Sequence, residues 1–378
     1  MKPLQIYIAL FSMLMCSGCK DPFTPEVSAH YRNLLVVEGF IHIGGETTIR
    51  ISRTGDLQDW QSIKPEKNAT VFVEGNGGTS LSGTTGEDGR CVLATQQLGM
   101  DEKYRLRIVS NGKTYQTDYL EGKETPEIDS LNFRIEDKGF QIYVNTHDER
   151  NSTRYYNWDY QETWEIRSAF ISYFEYKNGQ VIDRDPNINI TYCWKDEHSS
   201  KVLLSSTERF SEDRITNMPV NYIKGNSEKI AHFYSILVKQ YGLTREAYQY
   251  LENMKKNTEQ IGSIFDSQPS ELRGNVYCVS DSAEQVIGWI SSGKATEKRL
   301  FITSNDKPAE RDWLFSQRCD ALNITKDSLV YYMNGNNGIV DQIGDGLTGE
   351  ILGYIMAPTV CIDCRLRGSN IKPAYWPN

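Results

Sequence analysis

The sequence predicts a mainly β protein: an N-terminal immunoglobulin-like β-sandwich followed by a larger β-rich domain with one amphipathic helix. Three observations lead there. Short apolar or alternating runs recur along the chain, separated by Gly, Asn and Asp turn signals. The 22 Tyr, 13 Phe and 7 Trp supply core area that a hydrophobic content of 39% would otherwise leave short. Only one long run carries apolar residues at helical spacing.

The first of these runs, Leu34 to Ile41, is continuous and rich in β-branched residues, as a buried strand is. Gly44-Gly45 is a turn, and Thr47 to Ser52 alternates as a returning strand. Asn68 to Glu74 alternates again, Gly75 to Gly78 closes it, and Cys91-Val92-Leu93 follows the Glu87-Asp88-Gly89 turn. Tyr104 to Val109 pairs with Thr114 to Thr117 across Asn111-Gly112, the strongest short hairpin signal. Short strands with frequent turns predict a sandwich over residues 33–124.

Thr125-Pro126-Glu127 marks the boundary of a second β domain over residues 125–378. Ile128 to Phe133 and Gln141 to Thr146 are its first strands. In Tyr155 to Ile166, Tyr156, Trp158, Tyr160, Glu162 and Trp164 share one face. Residues 167–190 read as loop. Tyr192 to Lys195, Lys201 to Ser206, Ala231 to Gln240, Gly274 to Val279, Val286 to Ile290 and Arg299 to Ile302 read as strands. The helix runs near residues 244–261. Thr244 is its N-cap, and Ala247, Leu251, Met254, Thr258 and Ile261 form its weakly apolar face.

A net charge of −9 without any Lys/Arg block argues against nucleic acid as a partner. The N-terminus predicts export. Met1-Lys2 precedes an apolar run from Leu4 to Met15, too short for a spanning helix of about 20 residues but suited to a signal peptide over residues 1–18. Ser17-Gly18-Cys19 resembles a bacterial lipobox, with Cys16 where Leu is usual. Cys19 is therefore the expected lipidated first residue of the mature chain, anchored in a membrane by its acyl chains. Lys20 and Asp21 resemble a surface-export signal of Bacteroidetes lipoproteins, with Pro22 in place of a second acid. Residues 19–32 then form a tether kept extended by Pro22 and Pro25.

A set of short segments, in order, resembles one family. These are Leu35 to Gly39, Thr125 to Ser130, Arg154 to Glu165, Cys193-Trp194-Lys195, Tyr248 to Leu251, Leu272 to Tyr277, Cys361-x-x-Cys364-Arg365 and Lys372-Pro373-x-x-Trp376. Together with the lipobox they are similar to the Bacteroidetes outer-membrane lipoprotein family of domain of unknown function 4249 (DUF4249). That family has no established activity. Its members are generally encoded beside TonB-dependent outer-membrane transporters, so the resemblance implies a surface accessory role.

In an exported chain, cysteines are read as disulfides before metal or redox ligands. Cys361-x-x-Cys364 lacks the second ligand pair of a zinc site and the βαβ context of a redox motif. Cys193, Cys278, Cys319, Cys361 and Cys364 are the disulfide candidates, and the spacing does not select their connectivity. Cys319 is expected to pair into the Cys361/Cys364 tail. Cys91 lies outside the pattern the resemblance implies and is expected to be unpaired.

Asp183, Asp185, Asn187 and Asn189 alternate like calcium-loop ligands, but Ile188 and Trp194 stand where an EF-hand needs Gly and Glu. His147-Asp148-Glu149 reads as a solvated turn. The Trp158/Trp164 strand could serve as a sugar-stacking platform, yet aromatics at period two are more often core. No Gly-x-Ser-x-Gly elbow, His-Glu-x-x-His or Walker loop is found, and no catalytic activity or cofactor is expected. The expected function is that of a non-catalytic binding subunit of a TonB-dependent nutrient transporter on the outer membrane, its ligand a glycan or a peptide. A stand-alone glycan-binding protein is the alternative, and an unrecognised hydrolase a more distant one.

Overall fold

The computed structural model describes residues 33–55, 64–259, 272–333 and 335–377. The expected β class holds, in three β units each with its own apolar core. Cys19, Lys20 and Asp21 lie outside the described residues, as does the expected helix end at Ile261.

The N-terminal unit is a two-sheet sandwich. Strand Leu35–His42 pairs antiparallel with Glu46–Arg53, which also pairs with Arg90–Ala94. The facing sheet runs through Lys113–Gln116, Tyr104–Ser110, Thr70–Gly75 and Ser80–Thr84. Asn111 and Gly112 both take positive φ, the conformation a two-residue hairpin of this kind requires. Alternate residues such as Leu35, Val37, Val71, Val73, Leu106 and Ile108 fill the space between the sheets.

The boundary expected at residue 125 does not enclose this sandwich. The chain returns to it after the helix. Val286–Ile287 and Ser291–Gly293 pair parallel with Leu35–His42, and Tyr277–Cys278 pairs with Lys113–Gln116. Val276, Cys278, Val286 and Ile290 complete its core. Parallel pairing with a partner so far away in sequence has no turn to announce it.

The central unit faces a five-stranded sheet with a three-stranded one. Tyr155–Arg167 is the spine of the larger sheet. It pairs with Phe233–Gly242 on one side and with Tyr192–His198 and Leu203–Ser206 on the other. Ala295–Thr303 extends the sheet beyond Phe233–Gly242. The smaller sheet is Arg214–Lys224, Gly139–His147 and Ile128–Glu136. Strand Arg214–Lys224 carries no clean period-two signal, because Pro219 and a left-handed Asn217 interrupt its alternation where the register with Gly139–His147 shifts.

The third unit was not foreseen. It holds a sheet of Leu322–Thr325, Ile351–Pro358 and Asn337–Gly344. Its core is joined by a hairpin, Phe174–Lys177 with Gln180–Asp183, inside the stretch read as loop. Asn178-Gly179, both at positive φ, makes that hairpin's turn.

The helix spans Arg245–Glu259, and Thr244 caps it by accepting from the Ala247 N–H at 3.2 Å. Of the expected face, Ala247 is buried and Leu251 and Met254 are half-buried; Tyr250, outside that line, is the other buried residue. Tyr250 packs against Trp289 and Tyr248 against Tyr155, so aromatic contacts set the helix's rotation.

Candidate functional site

Two disulfides anchor the C-terminal tail, one of them to the central sheet. Cys193 joins Cys364 and Cys319 joins Cys361, with Cα separations of 5.6 and 5.9 Å. Cys319 thus pairs into the tail as expected. Cys278 is a correction: it is buried and free, as is Cys91. It sits on a strand docked in the N-terminal sandwich, whereas the four paired cysteines belong to the chain around the central sheet and its tail.

Beyond Cys364 the tail crosses the outer face of the larger sheet. Trp194 and Ser369 exchange backbone hydrogen bonds at 2.8 and 2.9 Å. The Tyr375 hydroxyl meets the Thr163 hydroxyl at 2.7 Å, and Arg299 stacks over the Tyr375 ring at 3.6 Å. Trp376 packs among Trp194, Phe233 and Phe301.

The aromatic strand is core. Tyr156, Trp158, Tyr160 and Trp164 are all buried, and the Trp158 Nε1–H donates to Gln240 Oε1 at 2.8 Å. Glu162, buried on the same face, accepts from Asn221 Nδ2 and the Tyr234 hydroxyl, each at 2.8 Å, and from Lys229 Nζ at 2.6 Å. Its donors account for its burial.

His147-Asp148-Glu149 forms the expected turn. His147 Nδ1 lies 2.8 Å from the Asp129 carboxylate, and Asp148 accepts from Ser152 and from the Arg150, Ser152 and Thr153 N–H groups. A shallow depression of about 210 Å³ lies beside it. In the alternating Asp/Asn stretch, Asp185 accepts from Asn187, and Asn189 from the Thr191 and Tyr192 N–H groups. These are local side-chain turns. No group of three His, Cys, Asp or Glu side chains converges as metal ligands among the described residues.

The larger depression, about 500 Å³, lies at one end of the central sheet. Three neighbouring strands deliver its residues. Glu165 and Arg167 end Tyr155–Arg167, His232 precedes Phe233–Gly242, and Lys307 follows Ala295–Thr303. Thr303 and Asp306 form a reciprocal cap that turns the chain just before Lys307. Glu228 enters from a short 3₁₀ turn capped by Ser227.

Its charges are partly matched. Arg167 Nε donates to Glu165 Oε1 at 2.5 Å, and Arg367, from the tail, meets Glu228 at 2.6 Å. Among the described residues Lys307 Nζ donates only to the Trp313 carbonyl, at 3.2 Å. Burial pulls the Lys307 ammonium below its ordinary pKa. Burial, then the charges of Arg167, Lys307 and Arg367, holds His232 below the usual imidazole range against the pull of Glu165. Leu314 and Phe315 add an apolar wall. The site can hold an anion beside an apolar group. Sequence reading did not assemble it, because its members are spread from residue 165 to residue 367 and share no local motif.

No curated protein matches this chain. Among solved structures, the FN1–FN3 domains of chicken CNTN1 are similar at 11% identity and a TM-score of 0.18, over 56% of this chain and 63% of that one. The calcium-binding domain CBD12 of CALX1.1 is similar at 11% identity and a TM-score of 0.15, over 70% of this chain and 98% of that one. Superpositions this loose carry no argument about fold or function. The family match is of another order, running from residue 20, directly after Cys19, to residue 299. Over that span, most of its length, the chain matches the Domain of unknown function (DUF4249) family and belongs to it.

Proposed function

We propose that this chain is a lipid-anchored, surface-exposed outer-membrane protein that serves as a non-catalytic binding subunit of a TonB-dependent nutrient transporter. The observation that carries this reading is the lipobox-like Ser17-Gly18-Cys19 ahead of a chain whose Cys193, Cys319, Cys361 and Cys364 pair as disulfides. Disulfides belong to oxidising compartments, and a leader ending in an acylated cysteine delivers a chain to one while keeping it on a membrane. Lys20-Asp21 favours the outer face. The three β units follow the anchored residue, and the depression at the end of the central sheet is available for ligand.

A stand-alone glycan platform has weaker support. Trp158, Trp164, Trp194, Trp313 and Trp376 are buried, so none of these five indoles is open to stack on sugar.

The test is affinity purification of the tagged protein from native membranes. An outer-membrane barrel should accompany it, and recovery without one sinks the transporter role. Cys19→Ala should release the protein or leave its leader uncut. Normal processing and surface retention of that variant would overturn the anchor.

A further inference from the structure

We infer that the depression at the end of the central sheet binds a single carboxylate carried on a small apolar body, with Lys307 as the charge that holds it. This rests on the binding role proposed above and names the ligand class.

Each carboxylate of the depression already has its cation: Glu165 is bonded to Arg167, and Glu228 to Arg367. Lys307 is left over. Among the described residues no carboxylate lies within ion-pair reach of it, and its only hydrogen bond goes to the neutral Trp313 carbonyl. A half-buried ammonium without a counter-ion is costly, and burial alone accounts for its lowered pKa. An incoming carboxylate relieves that cost with charge-assisted hydrogen bonds. His232 stands in the same depression with no side-chain hydrogen bond among the described residues, so its ring is free to donate to the second carboxylate oxygen.

Two further features narrow the ligand. With Glu165 and Glu228 each neutralised by its arginine, Lys307 is the single charge left to balance, which suits one negative charge better than the two of phosphate or a dicarboxylate. Leu314, 66% exposed, and the half-buried Phe315 offer an apolar wall that a hydrocarbon or aromatic group would cover. The Cys319–Cys361 disulfide fixes the chain just beyond that wall. A volume of about 500 Å³ lies in the range of small-molecule sites. Both a free aromatic acid and the C-terminus of a peptide ending in an apolar residue present this chemistry.

Calorimetry on the purified full-length lipoprotein in detergent, with empty micelles as the blank, tests the site. The probes are 3-phenylpropionate, its uncharged amide, and the tripeptide Ala-Ala-Phe with a free C-terminus. At least one carboxylate probe should bind, with 3-phenylpropionate about tenfold or more tighter than its amide. Tighter binding of the tripeptide assigns the site to peptide ends, and tighter binding of 3-phenylpropionate to free acids. Lys307→Met should lose this preference and Lys307→Arg should keep it, with near-ultraviolet circular dichroism reporting that both fold. Equal binding of acid and amide, undiminished binding by Lys307→Met, or no binding of either carboxylate at millimolar concentration overturns the inference. If Lys307→Met fails to fold, the acid–amide comparison on the unaltered protein still decides. Failure here leaves co-purification of a transporter barrel untouched, and failure of that co-purification leaves the site standing.

Discussion

Cys193, on a strand flanking the spine of the central sheet, is bonded to Cys364 in the tail across 171 residues of sequence. The bond closes a loop that contains the helix, the segment returning to the N-terminal sandwich and most of the third unit. The second disulfide, Cys319–Cys361, closes only 42 residues.

The longer loop should matter more. In the chain-entropy account, stabilisation grows with the logarithm of loop length, and the ratio of these two loops corresponds to about 1 kcal/mol. Replacing Cys193 and Cys364 together by Ala should cost about 2–5 kcal/mol, and replacing Cys319 and Cys361 about 1 kcal/mol less. Guanidinium unfolding of the two double variants measures the difference. Equal losses would show that native-state contacts, not loop closure, set the contribution.

Glu162 and Lys229 form a buried ion pair, with side-chain exposures of 6% and 25%. Glu162→Ala removes the acceptor shared by Lys229, Tyr234 and Asn221. It should destabilise the protein by about 1–3 kcal/mol, because the buried Tyr234 hydroxyl and Asn221 amide lose their acceptor while Lys229 keeps its second carboxylate, Glu197. Glu162→Gln, which keeps an acceptor, should cost less. Urea midpoints of the two variants check the order, and a reversal would place the cost in packing and not in the lost acceptor.

Asp148 makes acid stability testable. Burial raises its pKa, but the Ser152 hydroxyl and the Thr153, Arg150 and Ser152 N–H groups outweigh burial and bring it to about 2. A carboxylate depressed by folding stabilises fully above its unfolded pKa, near 3.9, and loses that contribution as pH falls through about 2. Asp148→Asn keeps an acceptor without the titration. Its unfolding midpoint should therefore fall less steeply between about pH 4 and pH 2 than that of the unaltered protein. Parallel curves would exclude Asp148 as a source of acid lability.

Gly288 sits where the returning segment crosses the first strand. Its φ is +148°, and a Cβ there would lie 2.1 Å from the Val37 carbonyl oxygen. Gly288→Ala should push Val286–Ile287 off Leu35–Val36 and cost more than about 1 kcal/mol. Amide exchange should quicken at Ile290, whose N–H now donates to Asn275 Oδ1 at 2.8 Å. Unchanged exchange would mean that the segment docks independently of this crossing.

Features that repeat over a few residues were legible in the chain alone. The period-two stripe of Tyr156, Trp158, Tyr160 and Trp164 marked a core strand, Asn111-Gly112 a hairpin, and Thr244 a helix start. Asn178-Gly179 carried the same hairpin signal in a stretch too polar to be read as strand. Folding settled the rest: that Cys278 stays free while Cys193 meets Cys364, that residues 277–293 complete the first sandwich, and that Lys307 shares a depression with His232 and has no ion-pair partner among the described residues. The reason is physical. Periodicity records which face of one segment is buried, whereas parallel pairing, disulfide choice and charge balance depend on partners that only the folded chain brings within a few ångströms.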